Sequence, residues 1–219
     1  MIFKGVIFDL DGTLLNSVED IADSLNFTLQ QYGLIEQSVI DVQDWIGEGA
    51  IELVKKAVPA YKLNTLDIQK FLWEYRERYE QNFAVRSYLY EDIPALLDEL
   101  TFRNVHLNIL SNKPHELTTL VADHFLVKWR FDNILGMRDG IPRKPDPAAA
   151  IEIVQNLGLN LSDILYIGDS STDIETARNA GVPVLAIATG VSKREDLEEA
   201  RPTQMLNQLT DLLTIIDGE

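Results

Sequence analysis

The fold is decided by one stretch of the sequence, Phe3-Lys4-Gly5-Val6-Ile7-Phe8-Asp9-Leu10-Asp11-Gly12-Thr13-Leu14. Its first part, residues 3–10, is rich in apolar and β-branched side chains, which predicts a buried strand. The strand ends at Asp9 and Asp11, and Asp-Gly is a common turn dipeptide. Two carboxylates this close repel each other unless a cation or a shared proton lies between them. The stretch therefore predicts a buried strand that ends either in a solvated turn or at the edge of a binding site.

Strand-like and helical segments alternate over most of the remaining chain. Further strands are predicted at residues 105–110, 164–167 and 182–187. Helices are predicted at residues 93–100, 115–125, 147–157 and 172–180, and a closing helix at 204–216 carries an apolar stripe of leucines. Repeated strand–helix units are typical of an α/β protein whose mainly parallel sheet is covered by helices on both faces. The fold class is therefore a doubly wound, Rossmann-like core.

One segment departs from this alternation. From Ser17 to about Arg86 the sequence has amphipathic helical patterns and no convincing strand, with one stripe formed by Phe71, Tyr75 and Tyr79. The simplest interpretation is a small all-helical unit, residues 16–87, inserted after the first strand. The core is then formed by residues 1–15 and 88–219.

Composition excludes several classes of function. The chain has 219 residues, of which 46% are hydrophobic, and its formal net charge of −16 disfavours binding to nucleic acid or to an anionic membrane surface. It has no cysteine, so disulfides, thiolate metal sites and a cysteine nucleophile are excluded. No apolar run approaches the ~18 residues that would span a bilayer, and the start lacks the apolar region of a signal peptide. We therefore expect a soluble, cytoplasmic protein.

A second acidic motif follows the strand predicted at residues 164–167. Gly168-Asp169-Ser170-Ser171-Thr172-Asp173 places one carboxylate at the carboxyl end of that strand and another four residues later. In a doubly wound sheet, ligands bind at the carboxyl ends of the strands, and carboxylate oxygens from separate strands suit Mg²⁺. The same residues would also form a good helix N-cap, and both interpretations can hold at once.

Two polar motifs lie between the acidic ones. Ser111 and Asn112 follow the strand at residues 105–110, where a hydroxyl and free backbone N–H groups could bind an anion or simply cap a helix. Lys144 stands in Arg143-Lys144-Pro145-Asp146-Pro147, where the prolines would stiffen the loop and could aim the lysine. By itself, a loop lysine is usually a solvated surface charge. Arg143 is interpreted as such a charge.

In this order, the four motifs resemble those of the haloacid dehalogenase-like hydrolase superfamily over essentially the whole chain. The helical insertion resembles the family's small cap, and Trp45-Ile46-Gly47-Glu48-Gly49-Ala50 within it is similar to the phosphoglycolate phosphatase-like branch. The resemblance implies a Mg²⁺-dependent phosphatase that acts on a small phosphorylated metabolite. The oligomeric state cannot be read from the sequence.

The resemblance also implies a role for each motif residue. Asp9 would be the nucleophile that forms an aspartyl-phosphate, and Asp11 would be the general acid and base. The remaining site residues are Ser111, Asn112 and Lys144 for phosphate binding, Asp9, Asp11, Asp169 and Asp173 for the metal, and Gly47, Glu48 and Gly49 as a cap loop for specificity. Asp173 would be a metal ligand or its outer-shell partner.

Other activities are possible on the same core. A dehalogenase would lack Asp11, and a phosphonate hydrolase would need a cap lysine in the site, which nothing in the sequence singles out. A β-phosphoglucomutase-like phosphotransferase or a pyrophosphatase would share every core motif. A non-catalytic scaffold would be expected to lack at least one core residue, and all six are present, namely Asp9, Asp11, Ser111, Lys144, Asp169 and Asp173.

Overall fold

The computed structural model describes residues 2–188, 190 and 192–218. The predicted core also includes Met1, Thr189, Val191 and Glu219, which lie outside the described residues. The strands are β1 Gly5–Phe8, β2 Leu15–Asn16, β3 Tyr88–Leu89, β4 His106–Pro114, β5 Asn133–Met137, β6 Ile164–Gly168, β7 Val184–Ile187 and β8 Gln204–Leu206. The helices are α1 Val18–Gln31, α2 Val39–Trp45, α3 Ala50–Ala57, α4 Ala60–Leu63, α5 Ile68–Asn82, α6 Ile93–Phe102, α7 His115–Phe125, α8 Ala148–Leu157, α9 Ser171–Ala180, α10 Arg194–Glu199 and α11 Leu212–Asp217. Among the described helices, none combines the length and the apolar character that a membrane span requires.

Six strands form the main sheet in the order β5-β4-β1-β6-β7-β8. All neighbouring strands in it are parallel. β1 lies in the interior of the sheet, where Val6 is in register with Leu107 of β4 on one side and with Leu165 of β6 on the other. The strand order reverses at β1. The carboxyl end of β1, which Asp9 and Asp11 follow, therefore lies at the position where doubly wound proteins bind ligands.

Alternating side chains of the central strands fill two separate cores. Val6 and Phe8 of β1 belong to one core, while Ile7 belongs to the other. The first core is completed by α6, α7, α11 and the helices between β2 and β3, and the second by α8, α9 and α10. A strand whose successive side chains are all buried must be covered on both faces, which is why the apolar run at residues 3–10 decided the fold class. The predicted doubly wound α/β fold is confirmed.

The structure corrects the prediction at both edges of the sheet. The closing helix expected at residues 204–216 is wrong in its first part, because Gln204–Leu206 form β8 in register with Leu185 to Ile187 of β7. Only Leu212–Asp217 form an α-helix there. The edge strand Asn133–Met137 was not predicted. Both strands are short and only partly buried, so their apolar pattern is too brief to distinguish a strand from a helix or loop.

The structure describes all of residues 17–87. They contain helices and no strand of the main sheet. We call residues 18–82, α1 to α5, the helical insertion. Its two connections to the sheet pair with each other as a small antiparallel ladder, in which Leu15 faces Leu89 and Asn16 faces Tyr88. The insertion therefore leaves and rejoins the sheet at one place, beside the carboxyl end of β1.

A buried carboxylate holds the returning connection. Asp20, in the first turn of α1, is 1% exposed. Its carboxylate accepts hydrogen bonds from the backbone N–H groups of Val85, Arg86 and Ser87 at 2.9–3.1 Å and from the Ser87 hydroxyl at 2.7 Å. The loop between α5 and β3 thus depends on one side chain for its backbone hydrogen bonds.

We expect Asp20→Ala to lower the free energy of unfolding by about 2–3 kcal/mol, because it leaves buried N–H groups without acceptors. Urea unfolding followed by circular dichroism measures this change. Asp23→Ala on the same helix is the control: Asp23 has a half-exposed side chain that forms only a 3.5 Å surface ion pair with Arg86, and its loss should cost less than about 0.5 kcal/mol. Equal effects of the two substitutions would contradict the role given to Asp20.

Candidate active site

The carboxyl ends of three adjacent strands place the predicted site residues at one edge of the sheet. Asp9 and Asp11 follow β1, Ser111 lies near the end of β4, and Asp169 follows β6. All four are buried, with exposed fractions of 1–8%. These side chains lie close together because parallel strands have their carboxyl ends at the same edge of the sheet.

Lys144 lies at the centre of this edge, although it comes from the loop between β5 and α8. It is 4% exposed. Its Nζ donates to Asp9 Oδ1 at 2.8 Å, to Asp173 Oδ1 at 2.6 Å and to the Leu110 carbonyl at 3.2 Å. The lysine is thus aimed inward and joins the carboxylates that follow β1 and β6.

Burial and charge oppose each other within this group. Burial raises the pKa of Asp9 to about 7, an effect that the ammonium of Lys144 counteracts and the nearby charges of Asp173 and Asp11 reinforce. Burial by itself would lower the pKa of Lys144, but the charges of Asp173 and Asp9 raise it well above its usual value. Lys144 is therefore a fixed positive charge between Asp9 and Asp173.

Three of these carboxylates form a possible cation site. Oxygens of Asp9, Asp169 and Asp173 lie within 4.8 Å of one another, and all three residues are buried. Asp169 also accepts a hydrogen bond from the Thr13 hydroxyl at 2.7 Å. An all-oxygen, buried and anionic donor set fits a hard divalent cation such as Mg²⁺.

The backbone of the first motif approaches Asp169 so closely that only glycine fits. Gly12 has φ +93°, and a Cβ there would lie 2.2 Å from Asp169 Oδ2. Gly190, in the loop after β7, would collide with the same oxygen at 2.2 Å. The two glycines therefore bring the first motif and the β7 loop against the Asp169 carboxylate.

Asp173 accepts hydrogen bonds at both of its carboxylate oxygens. Its Oδ2 accepts from the Ser170 hydroxyl at 2.6 Å and from the Ser170 backbone N–H at 3.2 Å, while Ser170 in turn caps α9. Its Oδ1 accepts from Lys144 and from the Tyr166 hydroxyl at 3.2 Å. Asp173 therefore completes the cap of α9 and also lies in the carboxylate cluster, so the two interpretations of this motif are compatible.

Asp11 is bound by a residue whose role the sequence analysis missed. The Nζ of Lys113 donates to both carboxylate oxygens of Asp11 at 2.6 Å and to the Tyr79 hydroxyl of α5 at 3.0 Å. The Ser17 hydroxyl donates to Asp11 Oδ1 at 2.6 Å. The only sequence signal for Lys113 was its position directly after Ser111 and Asn112.

Asn112 joins two loops rather than pointing its amide into the site. Its Oδ1 accepts from the Lys144 backbone N–H at 2.9 Å, and its Nδ2 donates to the Gly47 carbonyl at 2.9 Å. The side chain of Asn112 thus fixes the lysine loop and the insertion loop relative to β4. The side-chain amide of Asn112 thus has protein partners, and its phosphate-binding role stays a prediction.

The loop of Gly47, Glu48 and Gly49 lies against this edge of the sheet. Both glycines have positive φ, +104° and +91°, and a Cβ at Gly49 would approach the Asn112 carbonyl to 3.3 Å. The Glu48 carboxylate turns to Lys56 at 2.9 Å and is half-exposed. Within this loop, it is therefore the backbone that reaches the site.

Arg143 is an exposed loop charge, as expected, but it also has partners in the helical insertion. Its Nη1 donates to the Glu48 carbonyl at 2.6 Å, and its Nη2 lies 3.3 Å from Glu52 Oε1. The arginine therefore connects the lysine loop to the helical insertion. The sequence does not indicate these contacts, because the partners are more than ninety residues away.

A cavity opens above the carboxylates, between the sheet edge and the helical insertion. Asp9, Asp11, Ser111, Asn112 and Lys113 line its floor. Its walls are mainly apolar and aromatic, formed by Ile21, Trp45, Ile46, Ala50, Leu53, Tyr75, Tyr79, Pro114 and Leu117. Gly47 and Gly49 complete the wall, and Arg76 supplies its charged group. A floor of convergent polar groups beneath apolar walls is the usual form of a small-molecule site.

The sequence of this chain is similar to those of known proteins. A family model described as "Haloacid dehalogenase-like hydrolase" matches residues 6–187. A phosphoglycolate phosphatase of Rhodospirillum rubrum is 34% identical over 196 residues, which are 87% of this chain and 81% of that protein. Phosphoglycolate phosphatase 1 of Pseudomonas aeruginosa is 32% identical over 217 residues, 97% of this chain and 79% of that protein.

Solved structures agree with the sequence matches. A crystal structure described as a predicted phosphoglycolate phosphatase from Haemophilus somnus superposes with a TM-score of 0.91 at 29% identity, and the match covers 98% of both chains. The resemblance drawn from the four motifs is confirmed. The chain belongs to the haloacid dehalogenase-like hydrolase family and, within it, to the phosphoglycolate phosphatase-like branch.

Proposed function

We propose that this protein is a Mg²⁺-dependent phosphatase that hydrolyses a small phosphate monoester through an aspartyl-phosphate, in the manner of a phosphoglycolate phosphatase. The observation that carries the proposal is the contact of Lys144 with Asp9 at 2.8 Å, beneath a cavity that also exposes Asp11 and Ser111. The relatives' names support the substrate class. A non-catalytic scaffold would be expected to lack at least one core residue, and the presence of all six therefore disfavours it.

Asp9 is the nucleophile in the proposed reaction. Its carboxylate oxygen forms a bond to phosphorus while the bond from phosphorus to the ester oxygen breaks. Asp11 donates a proton to the departing oxygen, and later accepts one from the water that attacks the aspartyl-phosphate and frees Asp9. Lys113 and Ser17 hold the Asp11 carboxylate in place for both steps.

The transferring phosphoryl group is held by preorganised donors. Lys144 faces Asp9 directly, and the Ser111 hydroxyl lies at the cavity floor, so both can bind phosphoryl oxygens where negative charge develops. A buried, immobile ammonium suits this role, because it need not reorganise during the reaction.

Asp9 and Asp169 are the residues that we propose hold Mg²⁺, together with the backbone carbonyl of Asp11. Both carboxylate oxygens of Asp173 already accept hydrogen bonds, which favours a role as outer-shell partner. When bound, the ion would neutralise charge on the phosphoryl oxygens and on Asp9.

We also propose that residues 16–87 act as a cap domain on a core of residues 1–15 and 88–219. Asn112 and Arg143 tie the Gly47–Gly49 loop to the core, so this loop and α5 would enclose the part of the substrate beyond the phosphate. Phosphoglycolate, pyrophosphate and hexose phosphates, compared at equal Mg²⁺ concentration, test this substrate class against the pyrophosphatase and mutase alternatives. The cytoplasmic location stays a prediction.

Asp9→Asn should lower phosphatase turnover by about 10³-fold or more, because the amide keeps the shape but removes the anionic nucleophile. Release of inorganic phosphate from phosphoglycolate measures turnover, and EDTA should abolish it in the wild type. Asp123→Asn on the exposed surface of α7 is the control and should behave as wild type. Near-normal turnover of Asp9→Asn on every substrate of the wild type would rule out covalent catalysis by Asp9.

Asp11→Asn should separate the two chemical steps. p-Nitrophenyl phosphate has a leaving group that needs no proton, so the variant should release about one equivalent of nitrophenol rapidly and then turn over slowly. With an alkyl phosphate, both steps should slow, by about 10²-fold or more. Rapid-mixing kinetics on the two esters measure the difference, and equal losses without a burst would contradict the acid–base role.

Lys144→Ala should lower kcat/KM by about 10²-fold or more, on the scale of losing one preorganised donor. Lys144→Arg should restore it only in part, because a planar fork replaces a compact ammonium. Arg143→Ala, which removes contacts to the insertion but none to Asp9, should cost about tenfold at most. Steady-state kinetics, with thermal unfolding to confirm that each variant is folded, measure this. The reverse order of the alanine variants would contradict the role of Lys144.

A further inference from the structure

Arg76 is the charged residue of the cavity wall that the proposed reaction does not use. It lies on α5, between Tyr75 and Tyr79, and all three line the cavity above the carboxylates. The surrounding wall is apolar or aromatic. A guanidinium in such a wall is costly unless an anion pairs with it, since a charge is poorly solvated there.

Within the described part of the chain, no anion pairs with Arg76. Its Nε is enclosed and has no hydrogen-bond partner, and no described carboxylate lies within ion-pair distance of its guanidinium. Arg143 pairs with Glu52 and Arg103 with Glu99, whereas Arg78, whose Nε also has no hydrogen-bond partner, stacks on Phe27 outside the cavity. Arg76 is therefore a partly buried cation that lines the cavity and has no described anionic partner.

The helix places Arg76 close to the reacting groups. It is three residues before Tyr79, and residues so spaced lie on the same face of a helix with Cβ atoms about 5–6 Å apart. The Tyr79 hydroxyl accepts from Lys113 at 3.0 Å, and Lys113 binds Asp11 at 2.6 Å. Arg76 is thus one helical turn from a side chain that contacts the Asp11–Lys113 pair.

We propose that Arg76 binds a carboxylate of the substrate, so that the enzyme selects a small phosphorylated carboxylic acid over neutral phosphate esters. The proposal rests on the phosphatase function proposed above. A guanidinium fork matches a carboxylate with two parallel hydrogen bonds. Arg76 and the floor residues Asp11 and Ser111 line the same small cavity, so a short substrate can contact both the floor and the arginine.

The test compares two esters that differ in one group. Phosphoglycolate carries a carboxylate where 2-hydroxyethyl phosphate carries a neutral hydroxymethyl group. The measured quantity is the ratio of kcat/KM for the two esters, for the wild type, Arg76→Ala and Arg76→Lys. Arg78→Ala is the matched control, because Arg78 lies on the same helix but stacks on Phe27 at 4.3 Å, in a surface groove away from the site.

We expect the wild type to prefer phosphoglycolate, and Arg76→Ala to lower the ratio by roughly 10- to 100-fold, mainly through KM, as for a lost hydrogen bond between charged groups. Arg76→Lys should recover part of the ratio, and Arg78→Ala should keep the wild-type ratio. An unchanged ratio in Arg76→Ala, or equal losses on both esters, would overturn the role of Arg76 while leaving the phosphatase intact. A wild type that hydrolyses neither ester would instead overturn the proposed function for this substrate class.

Discussion

The site depends on one buried ammonium shared by two carboxylates. Lys144 binds both Asp9 and Asp173, and the exposed fractions of all three are 4% or less. Buried charges are tolerated only when they are paired and hydrogen-bonded, and removing one partner leaves an uncompensated charge that costs about 3–5 kcal/mol. This contact therefore requires the end of β1, the start of α9 and the loop before α8 to meet at one point.

Local structure around this contact serves the site and the fold together. Asp173 completes the capping box of α9 while it accepts from Lys144, so the helix start and the charge network share one carboxylate. Gly12 combines a positive φ with so close an approach to Asp169 that any Cβ would collide with the carboxylate. Substitutions at such positions affect stability and chemistry at once. A loss of activity there has to be separated from a loss of folding.

The helical insertion is joined to the site at several independent places. The β2–β3 ladder and Asp20 hold its two connections, while Asn112 and Arg143 hold the Gly47–Gly49 loop. Asn112 also binds the backbone of Lys144. The Asn112 side chain thus links the insertion loop to the backbone of the residue that faces Asp9.

The sequence by itself determined the doubly wound α/β class, the helical insertion and the strand ends that carry Asp9, Asp11, Ser111 and Asp169. These features are local: a buried strand and the polar turn after it are encoded within about ten consecutive residues, and parallel strands bring such turns together. The short edge strands β5 and β8 escaped prediction because so few residues carry little periodicity. Only the tertiary structure decided the partners of the cations. Lys113 reaches an aspartate 102 residues away, and Arg143 reaches a carbonyl 95 residues away. The position of Arg76 in the cavity wall, without a described anionic partner, is likewise visible only in the folded structure. The role of a long charged side chain depends on which groups the fold places within hydrogen-bond distance, and no local pattern of residues contains that information.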